Sequence, residues 1–251
     1  TRMSQSFIGN SYIQNIVRGE VNAFVQGFRG GSATPIQLVP HVKFNPNLTR
    51  SWFGSVMEII NNITMLSILL TGAALVRERE HGTLEHLMVM PLSPTEILLG
   101  KIWSMGLVVV ATVTFSLYFV VRGLLGVPLP GSIPLFLCGA LVHFFATAAI
   151  GIFLGTIARN MPQLGLLMIL VILPLQMLSG SVTPRESMPG LVQDIMLAAP
   201  TTHFVSLAQA ILYRGAGLAV VWPRFLTIAG IGLAFFLLAL ALFRRSLART
   251  R

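Results

Sequence analysis

Charged residues are scarce in this chain of 251 amino acids. Only 10% of the residues are Asp, Glu, Lys or Arg, whereas about a quarter of an ordinary soluble domain is charged. Cysteine is scarcer still, because Cys138 is the single one. The shortage of charge excludes a coiled coil, a disordered chain and a typical cytosolic enzyme. The lone cysteine excludes an internal disulfide framework and a paired-cysteine metal site.

Hydrophobic residues are abundant, at 54% of the chain. Basic residues outnumber acidic ones by 17 to 8, but they stand between apolar runs and do not pool on one polar segment. That placement is typical of a membrane protein and not of a nucleic-acid-binding protein. We therefore expect membrane lipid as a partner and no nucleic acid.

Five uncharged runs of 18 to 36 residues are the candidates for membrane spans, since a helix of about 20 residues crosses the hydrocarbon of a bilayer. The longest run starts with a loop that holds Pro128, Pro130 and Pro134, so only its second part can be a span. We predict an all-α integral membrane protein with five transmembrane helices, at about 52–76, 102–121, 135–158, 163–180 and 225–243.

The basic residues at the ends of the spans predict the orientation. The side that carries segment 77–101, Arg159 and the C-terminal tail holds eight Lys and Arg, and the short loops opposite hold four. Cytoplasmic loops carry the excess of basic residues, so segment 77–101 is predicted to be cytoplasmic and residues 1–50 extracytoplasmic. An extracytoplasmic start requires a preceding membrane helix, and we therefore expect this sequence to be N-terminally truncated.

The cytoplasmic segment 77–101 contains helix signals at both ends. Ser93 and Glu96 have the spacing of a capping box, with Pro94 at the first helical position. We predict that a helix starts at Pro94 and continues into the second span. Upstream, residues 77–80 alternate in charge, and a short amphipathic piece lies between Gly82 and Pro91. This piece is either a solvated interfacial loop or a docking helix for a cytosolic partner.

Segment 181–223 contains two short helical runs, 191–199 and 203–213. Between them lie Pro200, Thr201 and Thr202, where a threonine can cap the second helix. Nine residues of helix rise only about 13 Å, which is too short to cross a bilayer. We predict a re-entrant hairpin that enters the outer leaflet; the alternative is an amphipathic loop on the membrane surface.

Polar residues inside membrane spans are costly and so are candidates for function. Four of them fall within one arc of roughly 120° on the first helix, namely Ser55, Glu58, Asn61 and Asn62. This stripe could line a substrate path or form hydrogen bonds at a subunit interface. His143 is either a packed, hydrogen-bonded residue or a proton relay, and Pro174 predicts a kink in its helix.

Three stretches together resemble one transporter family. The cytoplasmic stretch reads "REREHGTLEHLMVMPLSPTEILLGK" over 77–101, and the stretch before the first span reads "FNPNLTRSWF" over 44–53. Between the last two spans, residues 177–215 read "MLSGSVTPRESMPGLVQDIMLAAPTTHFVSLAQAILYRG". The combination resembles the permeases of ABC-2 type exporters, in the drug-exporter branch.

The resemblance implies an architecture and a coupling site. Family members have six membrane helices and a large extracytoplasmic domain between the first two, so residues 1–50 would be the C-terminal part of that domain and 51–251 the membrane domain. The site that couples to the ATP-binding subunit would comprise Glu78, Glu80, Gly82, Thr83 and Glu85. ATP and Mg would be bound by the partner subunit, and this chain would hold no catalytic residue, cofactor or metal.

The resemblance also implies a function and partners. It identifies the chain as a non-enzymatic permease subunit of an exporter of drug-like or other amphipathic cargo, in the inner membrane of a bacterium. Its partners would be an ATP-binding-cassette ATPase and a second permease chain, as a homodimer or with a paralogue. The extracytoplasmic segment favours the branch linked to a periplasmic adaptor and an outer-membrane channel.

Two other classes of function remain as alternatives. An ion-coupled secondary transporter would need membrane-embedded carboxylates, and Glu58 is the one acidic candidate within or near the predicted spans. Such a transporter would also usually contain internal repeats, and none is evident. A membrane-bound enzyme would need a cluster of acid, base or metal-binding side chains, which the sequence does not suggest.

Overall fold

The computed structural model describes residues 50–82, 93–127, 129–183 and 185–248, together with Ile16 and Glu20. Apart from Ile16, Glu20 and Arg50, the predicted extracytoplasmic segment 1–50 lies outside the described residues, and so do the two predicted coupling residues Thr83 and Glu85. Within the described part the regular structure is entirely helical and no strand occurs. Residues Ser55–Arg251 form one compact unit.

The described residues of this unit include five long helices. They are α1 (Arg50–Glu80), α2 (Pro94–Phe115), α3 (Ile133–Ile157), α4 (Met161–Leu178) and α7 (Leu218–Ala248). Wider π-helical turns over Ser116–Leu124 extend α2. All five helices are long and apolar enough to cross a membrane, which confirms the five predicted spans. We call the predicted extracytoplasmic ends of these helices outer and the predicted cytoplasmic ends inner.

The inner start of α2 follows from its capping box. The Ser93 hydroxyl accepts a hydrogen bond from the Glu96 backbone N–H at 3.3 Å, and the Glu96 carboxylate accepts one from the Ser93 N–H at 2.7 Å. These two bonds satisfy backbone donors that the first helical turn leaves unpaired. The prediction of a helix that begins at Pro94 and continues into the second span is confirmed.

Helix α3 lies at the centre, and its backbone approaches α1 closely. A Cβ atom at Gly155 would lie 2.9 Å from the Gly72 carbonyl oxygen of α1, and one at Gly151 would lie 2.6 Å from the Ile68 carbonyl oxygen. The Thr71 hydroxyl donates across the same contact to the Ala148 carbonyl at 3.2 Å. Small residues permit this approach, which is how helices in lipid gain dispersion energy without a hydrophobic effect.

Helix α7 runs parallel to α3. A Cβ atom at Gly139 would lie 3.5 Å from the Phe225 ring near the outer end of α7, and one at Gly232, further along α7, would lie 2.9 Å from Ala146. Residue numbers thus increase in the same direction along both helices. Because α3 begins at the outer side, α7 also begins there.

Between α4 and α7 the chain forms two shorter helices. They are α5 (Gly190–Ile195), continued by a 3-10 turn over Met196–Ala198, and α6 (Pro200–Ala208), continued by π-helical turns over Gln209–Tyr213. The two halves meet at an angle of 91°. Helix α6 runs antiparallel to α3, because Gly139 faces Leu207 whereas His143, further inward, stacks on Phe204.

The directions of these helices show whether the segment between α4 and α7 crosses the membrane. It leaves α4 at the outer side, α6 returns toward the outer side, and α7 starts from that side again. The segment therefore re-enters and does not cross, as the hairpin prediction states. The alternative of a surface loop is disfavoured because α6 is buried along most of its length, including Phe204, Val205 and Leu207.

Two details of the outer region differ from the predictions. The break in the hairpin falls at Ala199, and Pro200 opens α6 without a side-chain cap, so the predicted threonine cap is wrong. The fixed backbone angle of a proline at the first position is already suited to helix initiation. Helix α7 starts at Leu218, seven residues before the predicted 225, because Arg224 does not end the span: its guanidinium donates to the Ser206 carbonyl of α6 at 3.1 Å.

Candidate functional site

The inner end of α1 carries four charged residues in succession, at positions 77–80. Successive side chains on an α-helix point about 100° apart, so these four residues point in four different directions. Three of them contact other helices of the chain, and Arg77 is exposed. The helix ends directly after them, where Gly82 adopts a left-handed backbone with φ of 71°.

Glu78 connects α1 to α2. Its carboxylate forms an ion pair with the ammonium group of Lys101. The Lys101 side chain is 11% exposed and that of Glu78 is 30% exposed. A pair at this depth is screened less by solvent than a surface pair. Removal of one partner would leave the other charge incompletely solvated.

Arg79 connects α1 to the inner end of α3. Its guanidinium donates to the Ala158 carbonyl at 2.6 Å, to Gly155 at 3.3 Å and to Thr156 at 3.5 Å. The last carbonyls of a helix have no partner within the helix. A cation at that end also interacts favourably with the helix dipole. Arg79 thus caps α3 from a neighbouring helix.

Glu80 connects α1 to the inner start of α4. Its carboxylate accepts a hydrogen bond from the Met161 backbone N–H at 2.9 Å. Asn160 caps the same helix start by accepting from the Gln163 N–H at 2.9 Å. An anion at a helix N-terminus satisfies an unpaired donor and interacts favourably with the dipole. We call the set Glu78, Arg79, Glu80 and Lys101, with the ends of α3 and α4, the inner clasp.

The structure places three of the five predicted coupling residues together. Glu78, Glu80 and Gly82 lie at the inner end of α1, where the first two belong to the inner clasp, whereas Thr83 and Glu85 lie outside the described residues. Arg79 and Lys101 were not among the predicted coupling residues. The alternating charges at 77–80 were the available signal for Arg79, but its partners lie more than seventy positions away and no local pattern predicts such a pairing.

The predicted polar stripe on the outer half of α1 divides into two parts. Asn61 faces the start of the hairpin: its side-chain oxygen accepts from the Ser181 hydroxyl at 3.2 Å, and its backbone carbonyl accepts from the Gln176 amide at 3.4 Å. The Ser181 hydroxyl also contacts the Gln176 carbonyl at 2.8 Å. This polar group fixes the turn between α4 and the hairpin, where Gly180 has φ of 95°.

Glu58 and Asn62 form the other part of the stripe. Both are exposed in the isolated chain, and the Asn62 amide donates to the Glu58 carboxylate at 3.4 Å. Ser55 is half-buried one turn further out. The four residues therefore do not share one surface. Glu58 and Asn62 still form a polar patch on an exposed face of α1 that continues with apolar side chains.

His143 is fully buried at the middle of α3. Its Nε2 atom lies 2.9 Å from the Thr64 hydroxyl of α1, and its ring stacks on Phe204 of the hairpin with centroids 4.3 Å apart. The Thr64 hydroxyl donates to the Ile60 carbonyl at 3.0 Å, so we assign Nε2 of His143 as the donor to Thr64. This geometry supports the packed residue over the proton relay. Among the described residues no three His, Cys, Asp or Glu side chains are placed to hold a metal ion.

Comparisons with known proteins agree with this architecture. The family model described as ABC-2 type transporter matches residues 1–213. The chain is 66% identical over 247 residues to the inner membrane transport permease YhhJ of Escherichia coli strain K12, covering 98% of this chain and 66% of that protein. It is 29% identical over 245 residues to the probable multidrug ABC transporter permease YbhR of the same organism, covering 95% of this chain and 64% of that protein.

A more distant relative is the ABC transporter G family member 20 of Dictyostelium discoideum, 24% identical over 164 residues, which are 64% of this chain and 22% of that protein. The chain spans about two thirds of the length of the bacterial permeases it matches. The family match covers most of the chain and includes four of its five spans and the whole hairpin. The chain is a multi-pass membrane protein, and it belongs to the ABC-2 type transporter family.

Proposed function

We propose that the chain is the permease part of an ATP-binding-cassette exporter in the inner membrane of a bacterium. Family membership, the five apolar helices and the names of the bacterial relatives as transport permeases support this assignment. The cargo is drug-like or otherwise amphipathic, as the multidrug name of one relative suggests. A periplasmic adaptor and an outer-membrane channel complete the export route in this proposal.

The energy source in this proposal is a separate subunit. ATP and Mg bind to an ATP-binding-cassette partner that docks on segment 77–101, and the permease itself is not an enzyme. The observation that carries the proposal is the inner clasp. The chain enters the docking segment from α1, which is bonded to three neighbouring helices, and leaves it through the uninterrupted helix Pro94–Leu124. Movement of the segment can therefore reach the whole bundle.

A second permease chain completes the transport path in this proposal. Of the four polar residues predicted on α1, Glu58 and Asn62 border either the path or the contact between the two chains in this proposal. The exposed pair of Glu58 and Asn62 supports this placement, since a carboxylate and an amide are costly against lipid. Cargo leaves toward the outside past the hairpin of α5 and α6.

The proposal is tested with the tagged full-length permease and its candidate ATP-binding subunit. We expect the two to co-purify, and we expect Glu85→Arg to abolish the complex or its stimulated ATPase activity, because it reverses a charge within the proposed docking segment. Asp194→Arg is the matched control: it makes the same charge reversal at an exposed site on α5, on the opposite side, and we expect it to leave the complex intact.

Two outcomes would count against the proposal. Equal loss in both variants would count against docking at Glu85, because the damage would then not depend on the docking segment. Failure of the folded wild-type permease to bind any ATP-binding subunit would remove the proposed energy source. Gradient-driven uptake in vesicles, compared between wild type and Glu58→Gln, would then test the ion-coupled alternative.

A further inference from the structure

We propose that Glu78, Arg79 and Glu80 act as positioning residues, which transmit the movement of the docking segment to α2, α3 and α4. In this inference the contacts of segment 77–101 with the ATP-binding subunit are made by other residues of the segment. This inference rests on the proposed function and deepens it. Its basis is that each of the three side chains has a partner inside this chain, and each partner belongs to a different helix.

The helical geometry explains why three consecutive residues can do this. Their directions lie about 100° apart, so together they cover most of the circumference of α1. The remaining direction belongs to Arg77, which is exposed. The end of α1 is therefore surrounded by partners on three sides, and a rotation or tilt of this helix must move all three neighbours or break a charged contact.

The order of the charges matches the helix ends that they contact. Arg79 lies at the C-terminus of α3 and Glu80 at the N-terminus of α4, which are the ends that favour a cation and an anion respectively. Helices α3 and α4 are joined by a turn of only three residues, 158–160. Arg79 and Glu80 thus bind the two helix ends on either side of one turn. If the two charges were exchanged, an anion would lie at the C-terminus of α3 and a cation at the N-terminus of α4, and both placements are unfavourable.

The contact to α2 differs because it joins two side chains. Glu78 and Lys101 can therefore be exchanged for each other with the ion pair retained. Arg79 and Glu80 instead contact main-chain atoms. No side-chain substitution on α3 or α4 can therefore compensate for a charge reversal at these two residues. These two kinds of contact provide separate tests of the same clasp.

The experiment measures movement and does not depend on the identity of the cargo. Spin labels are placed at Trp103 of α2 and Leu166 of α4, both 72% exposed and near the inner ends, in a full-length Cys138→Ser permease with its ATP-binding subunit. The distance between the labels is measured with and without ATP. We expect ATP to change this distance in the otherwise wild-type complex.

The test variant is Arg79→Glu with Glu80→Arg, which keeps the net charge. We expect it to co-purify with the ATP-binding subunit and to lose the ATP-dependent change in distance. Arg244→Gln, at an exposed position near the inner end of α7 and outside the docking segment, is the control, and we expect it to behave as wild type. Glu78→Lys should lose the change in distance as well, and addition of Lys101→Glu should restore it, which separates a specific contact from a folding defect.

Each remaining outcome has a defined meaning. An unchanged ATP response in the exchanged variant and in Glu78→Lys would overturn the inference while leaving the exporter proposal intact. Loss of co-purification in these variants, with Arg244→Gln unaffected, would also overturn it, because the residues would then be part of the docking surface. Absence of any complex with the wild-type permease would instead contradict the proposed function.

Discussion

Thr64 and Thr227 make the same local hydrogen bond but differ in their surroundings. Each hydroxyl donates to the carbonyl four residues earlier, Ile60 at 3.0 Å and Pro223 at 2.9 Å. Thr64 is fully buried and also contacts His143, whereas Thr227 is exposed. The pair therefore separates the local bond from the contact between α1 and α3.

We predict that Thr64→Val lowers the stability of the protein by about 1 kcal/mol. The substitution leaves a buried imidazole N–H unpaired, which costs roughly 1–3 kcal/mol in soluble proteins, but hydrogen bonds in membranes average only about 0.6 kcal/mol. Thr227→Val should change stability by less than about 0.5 kcal/mol, as exposed substitutions usually do. Thermal unfolding of both variants in a mild detergent would check this, and equal effects would mean that the His143 contact contributes nothing.

Some of these residues could be predicted from the sequence, but their partners could not. His143 and Asn61 are conspicuous in the sequence because polar groups in apolar spans are costly. Their partners are not predictable from the sequence, because Thr64 lies 79 positions from His143 and Ser181 lies 120 positions from Asn61. The polar residues lie on α1, as the sequence predicts, but side chains spread over an arc of roughly 120° can contact different surroundings. Asn61 therefore faces the hairpin while Glu58 and Asn62 face outward.

At the scale of helices, the contact of α1 with α3 depends on glycine. A Cβ atom added at Gly151 would overlap the Thr71 hydroxyl and approach the Ile68 carbonyl oxygen to 2.6 Å. Neither helix backbone can move away locally, because Gly155 meets Gly72 in the same way one turn further inward. By contrast, a Cβ atom built at Gly165 of α4 has no atom of the other described residues within 4 Å, apart from its chain neighbours and the adjacent backbone of α4 itself.

We predict that Gly151→Ala destabilises the protein by about 1–3 kcal/mol, as overpacking of a core does. Gly165→Ala should be neutral or stabilising by up to about 1 kcal/mol, because alanine is the better helix former and meets no obstacle. Both variants would be compared by thermal unfolding in detergent. A Gly151→Ala variant as stable as Gly165→Ala would show that the two helices can separate at little cost.

The helices themselves were largely predictable, and their ends only in part. For the five spans the length of the uncharged run was the signal, since the bilayer fixes the length of a crossing helix. The inner start of α2 was predictable because a capping box is a local signal. The start of α7 was not, because Arg224 is an interior contact to the hairpin and the sequence alone cannot distinguish it from a residue at the membrane boundary. The position of the hairpin followed from its short helices, and its break at Ala199 did not.

At the scale of the whole molecule, the exposed faces of the spans have different compositions. Those of α2 and α4 carry large apolar residues, such as Leu107 and Leu170, which lipid can cover. The exposed face of α1 carries Glu58 and Asn62 and continues with Met65 and Leu69 at helical spacing. A carboxylate and an amide are costly against hydrocarbon, so we expect protein or water to cover this part of α1.

We predict that a cysteine at Asn62 joins two permease chains. In a Cys138→Ser background, which removes the exposed native thiol, Asn62→Cys should form a covalent dimer with a short bifunctional thiol reagent, because a residue near a two-fold axis lies near its own copy. Leu107→Cys, 61% exposed on α2, should remain monomeric. Gel electrophoresis of treated membranes gives the readout.

The same cysteine distinguishes the two roles proposed for the patch. A covalent dimer would place Glu58 and Asn62 at the contact between chains. Absence of a dimer, together with rapid labelling by a water-soluble thiol reagent that does not cross membranes, would place them on the transport path, since only a hydrated site reacts in that way. Absence of both reactions would mean that lipid covers this face of α1, which contradicts either role. The polar pair would then be tolerated because Glu58 lies only four residues inside the outer end of the span that begins at Gly54, where a long side chain can reach the interface.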